Sequence, residues 1–311
     1  MDRLILAFVD GSPQSEHALP WAAELAARSP AELRLVRPHW TPVSDVSPDG
    51  MLCPYPVAVD ADVRAAEQTQ LDHLLARLKA ARPDVPASAV LIDGDTELTF
   101  AAALARYVAE CQPEFTVLTT HGHGPFARFW LGSVADEYVR HAVGPTLLLR
   151  TGPETADLSA RPEVQHVLVP LDGSRLAEQA LAPAARLAIL FGTDITLLQV
   201  LDPAVTAAPL PGLKPAGLPD DWQPPPAAEQ ARQYLGHIAR RVRQQNICVH
   251  LEVVDNRSPA DTILTHHNTF RGGLVALATH GRGGLTRLLL GSVADKVIRG
   301  ATGPVLVVRP G

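Results

Sequence analysis

The chain has 311 residues, which is enough for about two domains of ~150 residues. Apolar residues make up 46% of it and charged residues 19%, the ordinary balance of a soluble globular protein. The formal net charge of -6 argues against a protein that follows nucleic-acid phosphates, since such a protein needs a basic surface. No apolar run reaches the ~20 residues of a membrane span, and the N-terminus lacks a signal-peptide pattern. We therefore expect a cytoplasmic protein without nucleic-acid or membrane partners.

Long phrases of the sequence occur twice, in the same order. Asp10-Gly11-Ser12 returns as Asp172-Gly173-Ser174. The run "THGHGPFARFWLGSVAD" from Thr120 returns as "THGRGGLTRLLLGSVAD" from Thr279. Repeats this long and this far apart indicate a duplicated domain rather than a short-period solenoid.

The boundary between the two copies falls in a polar, proline-bearing stretch, "TGPETADLSARPE". Such a composition is typical of linkers. We therefore predict a first domain at 1–150, a linker at 151–163 and a second domain at 164–311.

Each half opens with a short apolar run, "LILAFV" or "HVLVPL", as expected of a strand buried on both faces. A helical pattern follows, with Ser12 and Ser174 in place as N-caps. Next come a strand ("ELRLVR"; "DITLLQVL"), a proline-rich stretch predicted to be irregular, a helix and another strand. A further helix, a strand ("FTVLTT"; "GLVALAT"), a helix from "GSVAD" and a last strand complete each half. Strands that alternate with helices predict an α/β fold of two doubly wound, Rossmann-like parallel sheets.

The phrase "ATHGRGGLTRLLLGSVADKV" has the pattern of an anion site at a strand end. A predicted strand runs into a loop with Gly281, and Gly291-Ser292 opens a helix. Glycines let backbone N–H groups approach an anion, and a helix N-terminus adds unpaired donors and partial positive charge. The alternative is that Ser292-x-x-Asp295 and Ser133-x-x-Asp136 are helix caps only. A Walker loop and a GxGxxG dinucleotide fingerprint are both absent.

On these motifs the chain resembles the universal stress protein family, with two copies of that domain covering almost all of it. The family runs from its first strand into D-G-S and carries a nucleotide motif of the form G-x2-G-x9-G-S/T. Here the motif is Ala278-x2-Gly281-x9-Gly291-Ser292 in the second half. In the first half it is Thr119-x2-Gly122-x9-Gly132-Ser133, so both copies keep the spacing and lose the first glycine.

The resemblance implies a site for ATP, either alone or with Mg²⁺. In ATP-binding members the motif cradles ribose and phosphates, and the strand-end aspartate hydrogen-bonds the adenine amino group. A proline and a valine flank adenine in some members. The implied nucleotide-binding residues are Pro170, Asp172, Gly173, Ser174, Val200, Leu277, Ala278, His280, Gly281, Arg282, Gly291, Ser292 and Val293 in the second half, and Asp10, Gly122, Gly132, Ser133 and Val134 in the first.

The two halves are unequal candidates for that site. Ala278 adds one methyl group where the motif has its first glycine, whereas Thr119 adds a β-branched side chain. The first half also has Phe8 near the adenine position, where the second has Pro170. We therefore expect the C-terminal half to be the better nucleotide site. The alternative for both aspartates is a turn carboxylate that accepts backbone N–H bonds.

The remaining histidines and cysteines predict no catalytic residue and no metal site. His121 and His280 are single histidines, for which a positioning role is favoured over that of a general base. His266-His267 lies on a predicted helix without a partner carboxylate or cysteine at ligand spacing. The three cysteines, Cys53, Cys111 and Cys248, are scattered and form no CxxC pair.

Three functions compete at this point. The first is an ATP-binding stress protein that acts as a nucleotide-linked regulator with at most slow hydrolysis. The second is a scaffold of the same fold that binds no nucleotide, which the missing first glycines favour. The third, an enzyme of the wider adenine-nucleotide alpha-hydrolase-like group, has no supporting motif. Family members dimerise through their last strands, so we expect the two halves to form an intramolecular pseudo-dimer, with a homodimer through edge strands as a further prediction.

Overall fold

The computed structural model describes residues 3–39, 43–46, 52–54, 57–93, 99–120, 133–141, 144–152, 154–203, 226–270, 272–279 and 290–309. The chain divides into two compact units. The N-terminal unit runs to Glu163 and includes Leu306–Arg309, and the C-terminal unit comprises Val164–Val305. The extent of the linker and the pairing of the halves stay predictions. Within the described residues, every helix is too short or too polar to cross a bilayer.

The N-terminal unit alternates strands with helices, as the sequence predicts. Its strands are β1 (Arg3–Phe8), β2 (Ala31–His39), β3 (Val43–Val46), β4 (Leu52–Pro54), β5 (Ala87–Asp93), β6 (Phe115–Thr120) and β7 (Gly144–Arg150). Its helices are α1 (Ala18–Arg28), α2 (Val57–Ala81), α3 (Phe100–Cys111) and α4 (Ser133–His141).

The second half of the chain repeats this order without a described counterpart of the β3–β4 hairpin. Its strands are β8 (His166–Pro170), β9 (Asp194–Leu201), β10 (Val249–Asp255), β11 (Gly273–Ala278) and β12 (Val305–Arg309). Its helices are α5 (Leu181–Phe191), α6 (Ala227–Arg243), α7 (Pro259–Thr269) and α8 (Ser292–Gly300).

The strand order places a reversal point in each unit. In the N-terminal unit the order is β5-β2-β1-β6-β7, and in the C-terminal unit β10-β9-β8-β11, with parallel pairing throughout. The chain therefore winds outward from the first strand, returns to its other side and continues from there. Ligands of such sheets bind at the strand carboxyl ends where the order reverses, here between β1 and β6 and between β8 and β11. The prediction of two doubly wound parallel-sheet domains is confirmed.

The central strands form because nearly all their side chains are buried and most are apolar or β-branched. All six residues of β6 are buried, and in β1 the four residues from Ile5 onward are buried. A parallel strand covered on both faces needs such a continuous run rather than alternation. Because these strands are held in place by packing on both faces, the loops that follow their carboxyl ends start from fixed positions.

Two local predictions are wrong. The stretch after β2, predicted to be irregular, contains the antiparallel hairpin of β3 and β4. Ser12 and Ser174 do not cap the α-helices, because a 3₁₀ turn precedes each helix. The Ser12 hydroxyl accepts from the Ser15 N–H at 3.2 Å, and the Ser174 hydroxyl accepts from the Ala177 N–H at 3.1 Å. The serines therefore satisfy donors of the 3₁₀ turn, and the α-helix starts afterwards.

Candidate functional site

The two Asp-Gly-Ser turns have the same geometry at the ends of β1 and β8. Asp10 Oδ1 accepts a hydrogen bond from the Ser12 N–H at 2.8 Å, and Asp172 Oδ1 accepts one from the Ser174 N–H at 2.9 Å. The glycines between them have φ of +86° and +84°, a left-handed conformation that L side chains rarely adopt. The turn role weighed for the aspartates is therefore present in both halves. This hydrogen bond uses the Oδ1 atom of each aspartate, and it does not exclude a nucleotide-binding role for the same carboxylate.

The end of β11 lies next to the start of α8. The Gly291 N–H donates to the Thr279 carbonyl at 2.8 Å, which joins the start of the helix to the end of the strand. Gly291 is the N-cap of α8, and Ser292 and Val293 are exposed in its first turn. The first N–H groups of a helix lack intrahelical acceptors and carry partial positive charge. The accessible start of α8 thus has the properties of an anion site.

The helix-cap interpretation of Ser292-x-x-Asp295 is wrong in detail. Ser292 is the first helical residue rather than the cap. Asp295 Oδ1 accepts from Arg299 Nε at 2.8 Å, one turn further along α8. In α4 the equivalent Asp136 accepts from Arg140 at 3.0 Å. Each acid is held towards the helix C-terminus by an arginine at i+4.

The predicted adenine-side residues of the C-terminal unit lie on neighbouring strands. Pro170 ends β8, Val200 lies one residue before the end of β9, and Ala278 ends β11. All three are half-buried, so they are packed by the fold yet accessible at the carboxyl edge. Leu277, by contrast, is buried, and only its backbone is available there.

The same region of the N-terminal unit is packed differently. The Phe8 side chain, expected beside the adenine position, is buried and meets the Tyr138 ring of α4 edge-on, with centroids 5.1 Å apart. Burial raises the pKa of Tyr138 to about 12. Thr119, at the position of Ala278, is also buried. Phe8 thus belongs to the core beneath α4 and does not project freely into the crevice.

A cluster of charged and polar side chains covers the end of β2 in the N-terminal unit. We call Arg37, His39, Asp60, Glu67 and Gln70 the Arg37 cluster. Arg37 donates to Glu67 at 3.2 Å and to Gln70 at 2.9 Å. His39 has its Nδ1 2.6 Å from Glu67 and its Nε2 3.2 Å from Asp60. Arg37 and His39 are 9% and 3% exposed, so Glu67 links two buried side chains to α2.

The Arg37 cluster lies against the first Asp-Gly-Ser turn. A Cβ atom on Gly11 would be 2.9 Å from Arg37 Nη1, which shows how closely the guanidinium approaches the turn. In the C-terminal unit, strand register puts Gln199 where Arg37 stands and Leu201 where His39 stands. The helix that supplies Asp60 and Glu67 has 25 residues, whereas its counterpart α6 has 17. The described part of the C-terminal unit therefore has no equivalent cluster.

Most residues of the two glycine-rich loops lie outside the described part of the chain. His280, Gly281 and Arg282 lie outside the described residues, as do His121, Gly122 and Gly132. Ser133 begins α4, and Val134 is exposed beside it, as Val293 is in α8. The predicted site residues that the structure does describe stand at the carboxyl edge of their own unit.

A second group of residues with binding chemistry lies at the opposite, amino edge of the C-terminal sheet. Asp194, Cys248 and His250 bring one ligand atom each to within 4.8 Å of one another. Local sequence patterns do not reveal this group, because Asp194 starts β9 whereas Cys248 and His250 lie at the start of β10. The available signal was Cys-x-His at the start of β10, since alternate residues of extended chain share a face.

His266 has a carboxylate partner that does not stand at ligand spacing in the sequence. His266 Nε2 lies 2.9 Å from Glu252 Oε2, which reaches it from β10. Its neighbour His267 is buried, and this burial lowers the pKa of the His267 imidazole. Glu252 of β10 thus supplies the environment of His266, whereas His267 lies against Gly303, whose N–H donates to His267 Nε2 at 3.2 Å.

Comparison with known proteins gives one consistent result. The model of the universal stress protein family matches residues 1–150 and 163–309. A universal stress protein of Mycolicibacterium smegmatis is 28% identical over 312 residues, covering 98% of this chain and 97% of that protein. Universal stress protein Rv1996 of Mycobacterium tuberculosis is 30% identical over 323 residues, covering 98% and 94%. The crystal structure of a universal stress protein from Archaeoglobus fulgidus covers 99% of this chain and 98% of its own, with a TM-score of 0.69 at 18% identity.

Proposed function

Because the chain belongs to the universal stress protein family, we propose that it is a cytoplasmic stress-response protein that binds ATP in its C-terminal unit. ATP binding there would make it a nucleotide-linked regulator, with at most slow hydrolysis. The N-terminal unit is a weak or empty site in this proposal.

One observation carries the proposal. The Asp172 turn follows β8 and the start of α8 follows β11, and these two strands are neighbours on either side of the reversal point. A crevice at that point is where doubly wound sheets hold their ligands. One side offers a carboxylate, and the other offers the N–H donors of a helix whose first residues, Ser292 and Val293, are exposed. A nucleotide needs both kinds of group, at its base and at its phosphates.

The residues of the C-terminal unit suit the parts of ATP. Half-buried Pro170 and Val200 offer apolar contacts to the adenine ring, and Asp172 offers an acceptor to its amino group. Gly291 and Ser292 stand at the helix start that would face the phosphates, with Mg²⁺ bound through the phosphate oxygens. The Arg37 cluster, which covers the end of β2, supports the choice of the C-terminal unit over the N-terminal one.

The first experiment asks what the purified full-length protein carries. The protein is denatured, and the small molecules released are identified and counted by mass spectrometry. We expect adenine nucleotide at about one per chain, in keeping with one working site of two. Absence of nucleotide, together with no thermal shift on adding ATP and Mg²⁺, would contradict the proposal and favour the non-nucleotide scaffold.

A matched pair of variants then locates the site. Asp172→Ala and Asp10→Ala remove the same turn hydrogen bond, at 2.9 Å and 2.8 Å, so each variant is the control for the other. Hydrogen bonds to charged groups contribute about 1.5–3 kcal/mol, so Asp172→Ala should weaken ATP binding roughly tenfold or more in calorimetric titration. Asp10→Ala should leave the affinity within about twofold of wild type. The reverse outcome would show that the N-terminal unit is the site.

A further inference from the structure

The amino edge of the C-terminal sheet carries a group of three metal-ligating side chains, Asp194, Cys248 and His250, which we call the amino-edge cluster. Asp194 is the first residue of β9, Cys248 directly precedes β10, and His250 is the second residue of β10. The strands are parallel, so this cluster lies at the opposite end of the sheet from the Asp172 turn. It is therefore a separate location from the proposed nucleotide site.

The cluster has the spacing of ligands around one small ion. The Cys248 sulfur lies 3.7 Å from His250 Nε2, and His250 Nε2 lies 3.1 Å from Asp194 Oδ2. In a tetrahedral zinc site with Zn–S of about 2.3 Å and Zn–N and Zn–O of about 2.0 Å, sulfur and nitrogen are about 3.5 Å apart and nitrogen and oxygen about 3.3 Å. The observed separations fit these two edges of a tetrahedron without movement of the backbone.

From this geometry we propose that Asp194, Cys248 and His250 bind a divalent transition-metal ion of the Zn²⁺ class. A thiolate, an imidazole and a carboxylate together select a borderline ion over Mg²⁺ or Ca²⁺, which prefer oxygen ligands. Three protein ligands leave a fourth position for water or for a small exogenous ligand.

The surroundings leave room for that fourth ligand. Asp194 and His250 line an open pocket of about 710 Å³, together with His166, Thr196, Glu252 and Phe270. The His250 and Asp194 side chains are 53% and 49% exposed, so an ion and its exchangeable ligand can reach them from solvent. The His166 ring is buried beside them, 6.4 Å from the His250 ring, and stacks on Phe270. The proposed site therefore lies against packed side chains and is open to solvent on one side.

The N-terminal unit shows that the fold itself does not require these residues. Strand register puts Glu32 at the place of Asp194 and Ser88 at the place of His250. Pro86, which has no donor atom in its side chain, stands where Cys248 does. The Ser88 hydroxyl donates to Glu32, and Arg34 pairs with the same carboxylate at 3.1 Å. The Arg34 guanidinium therefore already pairs with this carboxylate in the N-terminal unit. Of these two equivalent places, the one in the C-terminal unit has the three metal-ligating side chains.

The test uses full-length protein that has been stripped of metal with a chelator and kept reduced. Zn²⁺ is titrated by calorimetry, and Co²⁺ is added in a parallel experiment because a cobalt–thiolate bond gives a charge-transfer absorption. We expect one Zn²⁺ per chain and a thiolate band with Co²⁺. Cys248→Ser should remove the band and weaken Zn²⁺ binding at least tenfold. The double variant Cys53→Ser/Cys111→Ser, which keeps Cys248 as its single cysteine, should retain both.

His250→Gln provides a second ligand variant, and circular dichroism checks that each variant is folded. It should weaken Zn²⁺ binding to a similar degree while ATP binding stays unchanged. Zn²⁺ affinity equal in wild type and Cys248→Ser, or a cobalt band that survives Cys248→Ser, would overturn the proposal. Loss of the band in Cys53→Ser/Cys111→Ser would also overturn it, because the thiolate would then belong to another cysteine.

Discussion

The two carboxyl edges of this chain begin from the same turn and end as different surfaces. Asp10 and Asp172 make the same hydrogen bond, and Gly11 and Gly173 have nearly the same φ. One strand over, the N-terminal unit has the Arg37 cluster, whereas the C-terminal unit has Gln199 and Leu201. The two copies thus keep the same Asp-Gly-Ser turn. The side chains that lie next to each turn come from the neighbouring strand and helix, and they differ between the copies.

The difference teaches that a motif match alone does not rank the two sites. Both halves keep the spacing of the glycine motif and both lose its first glycine. Beyond the first motif position, the two sites differ in side chains outside the motif, which bring a buried arginine and a buried histidine to the N-terminal edge. Three variant series test what sets the two units apart.

The largest expected effect on stability is that of replacing Glu67, because Glu67 links Arg37 and His39 to α2. Glu67→Ala leaves a nearly buried guanidinium without one of its acceptors and the imidazole without its 2.6 Å partner. Breaking a buried ion pair costs about 3–5 kcal/mol, and the partly exposed Glu67 should cost about 2–4 kcal/mol of unfolding free energy. Hydrogen exchange read by mass spectrometry would report the loss in peptides of the N-terminal unit.

Glu229→Ala is the matched control, because Glu229 stands equally far before the next strand in α6. Glu229 is exposed and bonds only on its own helix, to Gln233 at 3.1 Å among the described contacts. Its removal should change unfolding free energy by less than about 0.5 kcal/mol. Equal effects of the two variants would show that the Arg37 cluster adds no stability.

A smaller effect is expected where the cluster meets the turn. Gly11→Ala and Gly173→Ala both force alanine to a positive φ, at a cost of about 1–2 kcal/mol. Gly11→Ala should cost about 1 kcal/mol more, because its Cβ would lie 2.9 Å from an arginine held by Glu67 and Gln70. Urea denaturation of Gly11→Ala in wild-type and Arg37→Gln backgrounds measures that coupling. Additive free energies in this cycle would exclude contact between the guanidinium and the turn.

The smallest effect concerns acidification of the C-terminal unit. His267 is buried, its Nε2 accepts from the Gly303 N–H at 3.2 Å, and burial lowers its pKa. Its folded pKa therefore lies below the unfolded value of 6.5, so stability is complete above pH 6.5 and is lost as pH falls below it. Below pH 6.5 the unfolded chain is protonated at His267, whereas burial disfavours protonation of this imidazole in the folded unit.

His267→Gln serves as the test, because glutamine keeps an acceptor for Gly303 but does not titrate in this range. The unfolding free energy of the variant, measured by urea denaturation at a series of pH values, should fall less steeply than that of wild type as the pH drops below 6.5. The N-terminal unit has Val108 at this helix position and should not share the effect. The same pH slope in wild type and variant would assign the loss of stability to other groups.

Most of the fold was accessible to prediction from the sequence. Runs such as "LILAFV" and "FTVLTT", rich in apolar and β-branched residues, are typical of central strands of a parallel sheet, and the structure has them there. The errors arose where local chemistry competes with regular structure. The Ser12 hydroxyl satisfies a 3₁₀ turn before the helix, and the hairpin of β3 and β4 lies in a stretch whose prolines predicted no regular element.

The sequence by itself determined the duplication, the strand–helix alternation and the carboxylate and glycine of each turn, because these depend on residues close together along the chain. Only the tertiary structure decided what stands beside them. Arg37 meets Glu67, and Asp194 meets His250, across distances in sequence that no local pattern spans. Parallel strands bring residues from separate βα units to one edge, so the side chains that fill an edge depend on strand order and register, which emerge only when the sheet assembles.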